Sequence, residues 1–360
     1  MCYQDVTRSL LTARAIPLGQ QAHIVGRTTG DRSPRGEHPL PESERDEVDN
    51  LVLLCGRCHP DADNANNLDV VTVGVLRAAK RAHESRIEQI LSIPPSNTTA
   101  ILRLQGVIGD ATVHIDASTA AATVLTSQRI ASFPLSTDRA GLEIDLRSIA
   151  TPTPANAEYY AACVRQIDRF FERQFFPAIE EGSIKHVSVF ALARWPLLVH
   201  LGAALGNKVE AQIYQRHRAS EAWEWAPGAS GTEFEWSVDS GDDERDPVLV
   251  LSLSTTVKAA EIPASLQAGT TYRIAPAGNL MPHYDVVSTP GALKSAERAI
   301  RDVLADIEQH RKHARRLHVI GAAPLSVCVS LGRAITRGIH PQLVLYDRVE
   351  GSYQPTLEVS

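Results

Sequence analysis

Leu317-His-Val-Ile-Gly-Ala-Ala323, Pro324, Leu325-Ser-Val-Cys-Val-Ser-Leu-Gly332 and then Gln342-Leu-Val-Leu-Tyr-Asp-Arg348 form one half of a pair. The other half comes earlier, as Val187-Ser-Val-Phe-Ala-Leu-Ala193, Arg-Trp-Pro, Leu197-Leu-Val-His-Leu-Gly202 and Val209-Glu-Ala-Gln-Ile-Tyr-Gln-Arg216. In each, an apolar run leads to a proline at a helix start, then to an apolar helix ending in Leu-Gly, then to a second apolar run. Proline suits the first helical turn because its φ is already helical and its missing N–H would have no partner there. Continuous Val, Ile and Leu runs mark strands buried on both faces, as in parallel sheets. Each copy therefore reads as a βαβ unit, and the two together as two Rossmann-like halves of an α/β protein.

Working outward, apolar Val164, Ile167, Phe170, Phe171 and Phe175 fall on one face of a helix predicted over Ala157 to Glu180. Ile101 to Ile108 and Ala111 to Ile115 alternate as strands, followed by a loop-rich stretch to Pro154. Ile93-Pro-Pro-Ser-Asn-Thr-Thr99 has the two prolines and small polar residues of a linker. Before it, Met1 to Leu91 is polar and rich in Arg, His and Asp, with one helical stretch from Val73 to Leu91. The expected organisation is one domain over 1–92, a linker over 93–99 and a second domain over 100–360. Ser237 to Asp246 reads as an exposed acidic loop.

A chain of 360 residues with 43% hydrophobic content can bury two or three cores, which excludes a lone small binding module. No run of about 18 apolar residues occurs, and Met1 to Ala22 lacks the order of a secretory leader, so a cytoplasmic protein without a membrane span is expected. Five cysteines, an odd number that includes Cys55-x-x-Cys58, fit a reducing compartment and point to metal rather than disulfides. The net charge of -6 excludes a protein that coats nucleic acid by bulk electrostatics. It leaves room for a nuclease, whose basic groove can come from local clusters or from an assembled oligomer.

The first domain carries Gln21-Ala-His23-Ile, Ser33-Pro-Arg35-Gly, Asp49-Asn50-Leu-Val-Leu-Leu-Cys55-Gly-Arg-Cys58-His59-Pro-Asp-Ala-Asp63 and Lys80-Arg-Ala-His83-Glu84, in that order. In that order the elements resemble the HNH endonucleases, and the resemblance implies phosphodiester hydrolysis, which needs a base for water, a divalent ion for the developing charge, and a frame that holds both. His23 is the candidate base, since imidazole accepts a proton near neutral pH. His59 and Asp63, four apart, share one helix face and are candidate ligands of a divalent cation, Mg2+ above all. Cys55 and Cys58, with Cys2 as a third donor, have the spacing of a structural Zn2+ site; two buried thiols would read the same way. Arg35 is either a bidentate phosphate contact to DNA or a salt-bridged arginine.

The HNH endonucleases that these elements resemble have the His-Me finger or ββα-metal fold. The resemblance implies that His23, Asn50 and His59 are catalytic, with Asn50 bracing the loop between the strands. Two positions depart from the family: Ala22 stands where a carboxylate is common, and Cys58 where many members have His.

The rest of the chain resembles the SAVED domain, a sensor of cyclic oligonucleotides with two CARF-like halves. The residues that carry this are Phe190-Ala-Leu-Ala-Arg-Trp-Pro-Leu197, Tyr214-Gln-Arg-His-Arg218, Trp223-Glu-Trp225, Ala322-Ala-Pro-Leu-Ser326 and Leu331-Gly-Arg333. In doubly wound sheets, ligands sit at the carboxyl ends of strands, near helix N-termini that favour phosphate. Arg194 and Trp195 occupy one such end, Ala323 and Pro324 the other; Trp195 either stacks on a base or packs between domains. Gln215, Arg216, Trp223 and Tyr346 are further candidate ligand contacts.

Together the two resemblances imply a metal-dependent nuclease of double-stranded DNA, as in anti-phage CBASS defence. A cyclic di- or trinucleotide would activate it by driving assembly of a homo-oligomer. The rival readings are a nucleotide-binding adaptor with a decayed nuclease fold and a ligand-activated ribonuclease.

Overall fold

The computed structural model describes residues 6–7, 12, 14–108, 111–112, 114–132, 141–149, 152, 155–226, 228, 231–349 and 351–360. The chain forms two compact units, Met1–Pro94 and Pro95–Ser360.

The first unit holds β1 (Gly19–His23), β2 (Leu51–Cys55), α1 (Cys58–Asp63) and α2 (Val73–Ser92). β1 and β2 pair antiparallel, with His23 opposite Leu51. Its apolar core is small, built from Ala22, Ile24, Val52, Leu54, Ala62 and Leu76. So little apolar burial leaves the 27-residue excursion between the strands to be held by polar contacts, and two arginines supply them. Arg45 is fully buried and spends all five guanidinium N–H groups on carbonyls: Nε on Leu40 (3.0 Å), Nη1 on Gly26 (2.9 Å) and Thr28 (2.6 Å), Nη2 on Gly36 (3.1 Å) and His38 (3.0 Å).

The second unit begins with β3 (Thr98–Gln105), so Thr98 and Thr99, expected in a linker, already belong to a strand. There follow a small hairpin, β4 (Val107–Ile108) and β5 (Ala111–Thr112), then α3 (Ala117–Thr126), β6 (Ile130–Ser132), β7 (Leu142–Asp145), α4 (Ala157–Phe170) and α5 (Phe176–Glu180). One π-helical turn, Phe171–Phe175, joins α4 to α5, so the continuous helix expected here is broken in character. The wide turn keeps the consecutive rings of Phe170 and Phe171 both buried, and it lies just before Pro177, which cannot donate a helical hydrogen bond.

The repeat then appears as read. The first copy is β8 (His186–Leu192), α6 (Trp195–Leu205) and β9 (Glu210–Ile213). After β10 (Phe234–Asp239), β11 (Val248–Ser252), β12 (Thr271–Pro276) and α7 (Pro290–His310) comes the second: β13 (Arg316–Ala322), α8 (Leu325–Ala334) and β14 (Gln342–Val349), followed by β15 (Ser352–Val359). β3, β8 and β9 run parallel, with β6 and β7 both pairing with β3. The other sheet has the order β10-β12-β11-β13-β14-β15; its four central strands are parallel and its two edges antiparallel.

One core fills the space between the two sheets. It takes Leu102, Leu104, Val187 and Val189 from the first sheet, Leu249, Leu251, Leu317, Val319, Leu343 and Leu345 from the second, and the inner faces of α4, α6, α7 and α8. The alternate residues face outward into two smaller cores: Ile101, Phe190 and Tyr214 behind one sheet, Val250, Ile320, Val344 and Tyr346 behind the other.

Candidate functional site

In the first unit the Arg35 guanidinium meets the His23 carbonyl and the Asp63 carboxylate, and Asp63 in turn meets His59. Arg35 adopts a left-handed backbone (φ 56°), unusual for a side chain with a Cβ. Its Nε donates to Ile24 O (2.7 Å), Nη1 to Ala62 O (2.6 Å), and Nη2 to His23 O (3.3 Å) and Asp63 Oδ1 (2.5 Å). The side chain is 5% exposed. Arg35 is therefore turned into the protein, tying the end of β1 to the end of α1, as the salt-bridged alternative has it.

Asp63 keeps its second oxygen toward His59, with Nε2 to Oδ2 at 3.3 Å. His59 Nδ1 meets Gln20 Oε1 at 2.9 Å. His59 thus has an acceptor oxygen beside each ring nitrogen, Gln20 Oε1 at Nδ1 and Asp63 Oδ2 at Nε2. His59 and Asp63, the expected divalent-cation ligands, meet each other, and both Asp63 oxygens already have partners in Arg35 and His59. Among the described residues, no three or more His, Cys, Asp or Glu side chains are grouped to hold a metal ion. The zinc expectation therefore has no support: Cys58 N donates to Cys55 Sγ (3.4 Å) at the turn into α1, and Cys2 lies outside the described residues.

Asn50 is buried just ahead of β2. Its Oδ1 accepts from Val25 N (2.9 Å), and its Nδ2 donates to Val25 O (2.8 Å) and Arg45 O (2.8 Å). It thus clips the residues after His23 to the loop that Arg45 organises. From α2, Lys80 Nζ donates to Val48 O, steadying the turn that presents Asn50. His23 Nε2 lies 2.8 Å from Asp46 Oδ1. That bond holds the Asp46 carboxyl below its usual range, with Arg27 adding to the effect.

In the second unit, the two repeat copies grip each other's helix starts. Gln215, just past β9, accepts from Ser326 N (3.1 Å) and Ser326 Oγ (2.8 Å) in the first turn of α8. Asp347, at the matching place on β14, accepts from Arg194 Nη1 (3.1 Å), the N-cap residue of α6, and from Tyr160 OH (2.5 Å). Burial and the adjacent carboxylate push the Tyr160 phenol well above its ordinary range. Trp195 is half-buried against the central core, Ala323 is half-buried, and Pro324 caps α8. Arg216 pairs with Glu221 (3.0 Å) in the loop after β9. That loop meets the one after β12: Arg218 lies over the Tyr284 ring (4.3 Å) and its N–H reaches Asp285 (3.0 Å).

A family model described as the SMODS-associated and fused to various effectors sensor domain, SAVED, matches residues 167–359. The chain belongs to the SAVED family. The match begins inside α4, so β3, β6 and β7 precede it although they share a sheet with β8 and β9 of the SAVED segment. Among solved structures, the Acinetobacter baumannii Cap4 SAVED/CARF-domain containing receptor with the cyclic trinucleotide 2'3'3'-cAAA has 14% identity and a TM-score of 0.47, covering 77% of this chain and 53% of that one. The same receptor with 3'3'3'-cAAA has 16% identity, a TM-score of 0.44 and coverage of 63% and 50%. The Moraxella osloensis Cap4 SAVED/CARF-domain containing receptor has 14% identity, a TM-score of 0.38 and coverage of 63% and 49%. The chain thus spans about half the length of these receptors. No curated protein matches it. Among the described residues, no helix is long and apolar enough to cross a membrane.

Two expected ligand contacts of the SAVED segment lie away from the helix starts. Trp223 is 4% exposed and packs edge-on to Phe190 behind the first sheet. Tyr346 sits behind the second, its hydroxyl 3.1 Å from His318 Nδ1. Strand alternation explains the second case: Leu345 faces the central core, so its neighbour Tyr346 must face away. Asp347, Tyr160 and Ser326 are the polar residues that sequence reasoning missed. The signal for Asp347 was present, since Tyr-Gln-Arg216 and Tyr-Asp-Arg348 close the two copies at equivalent places.

Proposed function

We propose that this chain is a ligand-switched endonuclease: its SAVED unit senses a cyclic di- or trinucleotide, and its first unit then cuts double-stranded DNA in bacterial anti-phage defence of the CBASS type. The observation that carries the reading is a sensor-family segment on the same chain as a separate ββα unit, in which the His59–Asp63 pair meets at 3.3 Å and Asn50 clips the residues after His23. The Cap4 receptors solved with cyclic trinucleotides indicate the ligand class to try first.

In this reading His23 takes the proton from the attacking water and Asn50 keeps the loop behind it in place. His59 and Asp63 would hold a divalent cation, which supplies charge stabilisation on the phosphate when bound. In this reading the ligand supplies no catalytic group. It acts instead by favouring one arrangement of whole subunits over another, through its differential affinity for the two. Ligand-driven assembly suits a chain whose net charge of -6 gives a single copy little hold on DNA.

Titration calorimetry of the full chain against a panel of cyclic di- and trinucleotides, with light scattering on the same samples, tests the sensor half. One member should bind and enlarge the particle; binding by none would remove the reading. A nucleotide-binding adaptor is the second reading, favoured by Ala22 and by the engagement of one Asp63 oxygen with Arg35. It predicts the same binding with no cleavage of DNA or RNA.

A further inference from the structure

We infer that Asp46 is a positioning residue for His23: its carboxylate holds the proton on Nε2 and leaves Nδ1 as the atom that accepts a proton from water. The inference rests on the nuclease reading and adds to it a residue that lies outside the motif. Asp46 Oδ1 is 2.8 Å from His23 Nε2, and an ionised carboxylate can only accept, so a neutral imidazole must present Nε2–H there. Among the described residues, nothing bonds Nδ1, and the side chain is 27% exposed, so water can reach the ring. Its other oxygen lies 3.4 Å from Arg27 Nε, in a pair whose side chains are 72% and 61% exposed. Asp46 follows directly on Arg45, whose five bonds set the loop and whose carbonyl receives Asn50 Nδ2. Arg35 meanwhile pins the His23 carbonyl from the opposite side. Arg35 and Asn50 hold the backbone at and after His23, and Asp46 meets the ring and chooses between its two nitrogens.

This pair also answers the absence of a carboxylate at position 22. Ala22 is buried in the apolar core, where a carboxylate would be unpaired; the carboxylate instead reaches His23 from the loop, 23 residues on. In the step itself, the water O–H bond breaks and its proton passes to Nδ1. The oxygen forms the new bond to phosphorus, the bond to the leaving sugar oxygen breaks, and that oxygen takes a proton from solvent. The resulting imidazolium keeps Nε2–H on Asp46, which stabilises the positive charge.

The test uses the full chain with 15N-labelled histidine, the His23 signals being assigned by comparison with His23→Gln. Wild type should show the Nε2–H tautomer, and Asp46→Ala a mixture of the two. In DNA cleavage, Asp46→Ala should lower kcat about 10- to 100-fold, the usual effect of removing an orienting partner. KM for DNA should stay unchanged, and Asp46→Glu should recover part of the loss. An Nδ1–H tautomer in wild type, or full cutting by Asp46→Ala, overturns the inference. If wild type cuts no nucleic acid with any ligand, the nuclease reading fails, and the tautomer spectrum still decides whether Asp46 sets the ring.

Discussion

Gly202 of α6 and Gly332 of α8 lie at one helix crossing, each against the carbonyl three residues before the other. A Cβ at Gly202 would stand 2.0 Å from Val329 O, and one at Gly332 would stand 1.9 Å from Val199 O. Backbone on both sides leaves no side chain to move aside, so Gly202→Ala must push the helices, and with them the two sheets, apart. The expected loss is at least the 1–3 kcal/mol typical of overpacking, about 3 kcal/mol. It should appear as a lower denaturant midpoint for the SAVED unit, with Gly332→Ala showing a similar loss.

Half of this crossing was legible in advance. Both βαβ copies could be read because buried strands and apolar helices leave long one-sided patterns, but α6 and α8 run past the Leu-Gly pairs expected to end them, to Leu205 and Ala334. What those patterns could not carry is which residue of one copy meets the other copy. Gln215 and Asp347 stand at equivalent points, yet their partners, Ser326 and Arg194, lie 111 and 153 residues away in sequence. The arginines of the first unit were illegible for a different reason: a charged residue in a polar segment reads as exposed, whereas Arg35 and Arg45 are buried because free carbonyls surround them. Asp46 was missed because its bond to His23 depends on the loop that Arg45 folds.

The Arg194–Asp347 pair is mostly buried, with side chains 18% and 12% exposed. Asp347→Ala leaves the Arg194 cation and the Tyr160 hydroxyl without their acceptor. Breaking one side of such a pair costs about 3 kcal/mol. Asp347→Asn, which still accepts, should recover part of that. Equilibrium unfolding monitored on both variants checks the order.

Arg35→Lys separates the two readings of this residue. As a buried clamp, Arg35 cannot be replaced by an ammonium that lacks the fork geometry, so the first unit should lose thermal stability. A surface phosphate contact would instead leave stability unchanged and lower the salt slope of DNA binding by about one.

Acid should weaken the SAVED unit through its buried histidines. Burial pushes His186 down to about 4, while Thr99 Oγ1 lies 2.7 Å from its Nδ1. Burial lowers His217, His318 and His340 as well. A histidine kept neutral in the folded state is protonated first in the unfolded chain. Stability is therefore full above about pH 6.5 and falls as the pH drops toward 4, where His186 itself charges and its contribution to the slope ends. His186→Asn should flatten that slope in denaturant midpoints taken between pH 7 and pH 4; an unchanged slope would mean other groups set it.

The central claim is that a cyclic nucleotide turns on a nuclease housed in the same chain. The direct measurement is the rate of plasmid cleavage by the full chain with magnesium, as a function of the concentration of whichever cyclic oligonucleotide binds it. Cutting should be absent without ligand, rise to a plateau as ligand saturates, and fall by about 10²-fold or more in His23→Ala while ligand binding stays intact. Full cutting without ligand, or cutting that survives His23→Ala unchanged, would contradict the account.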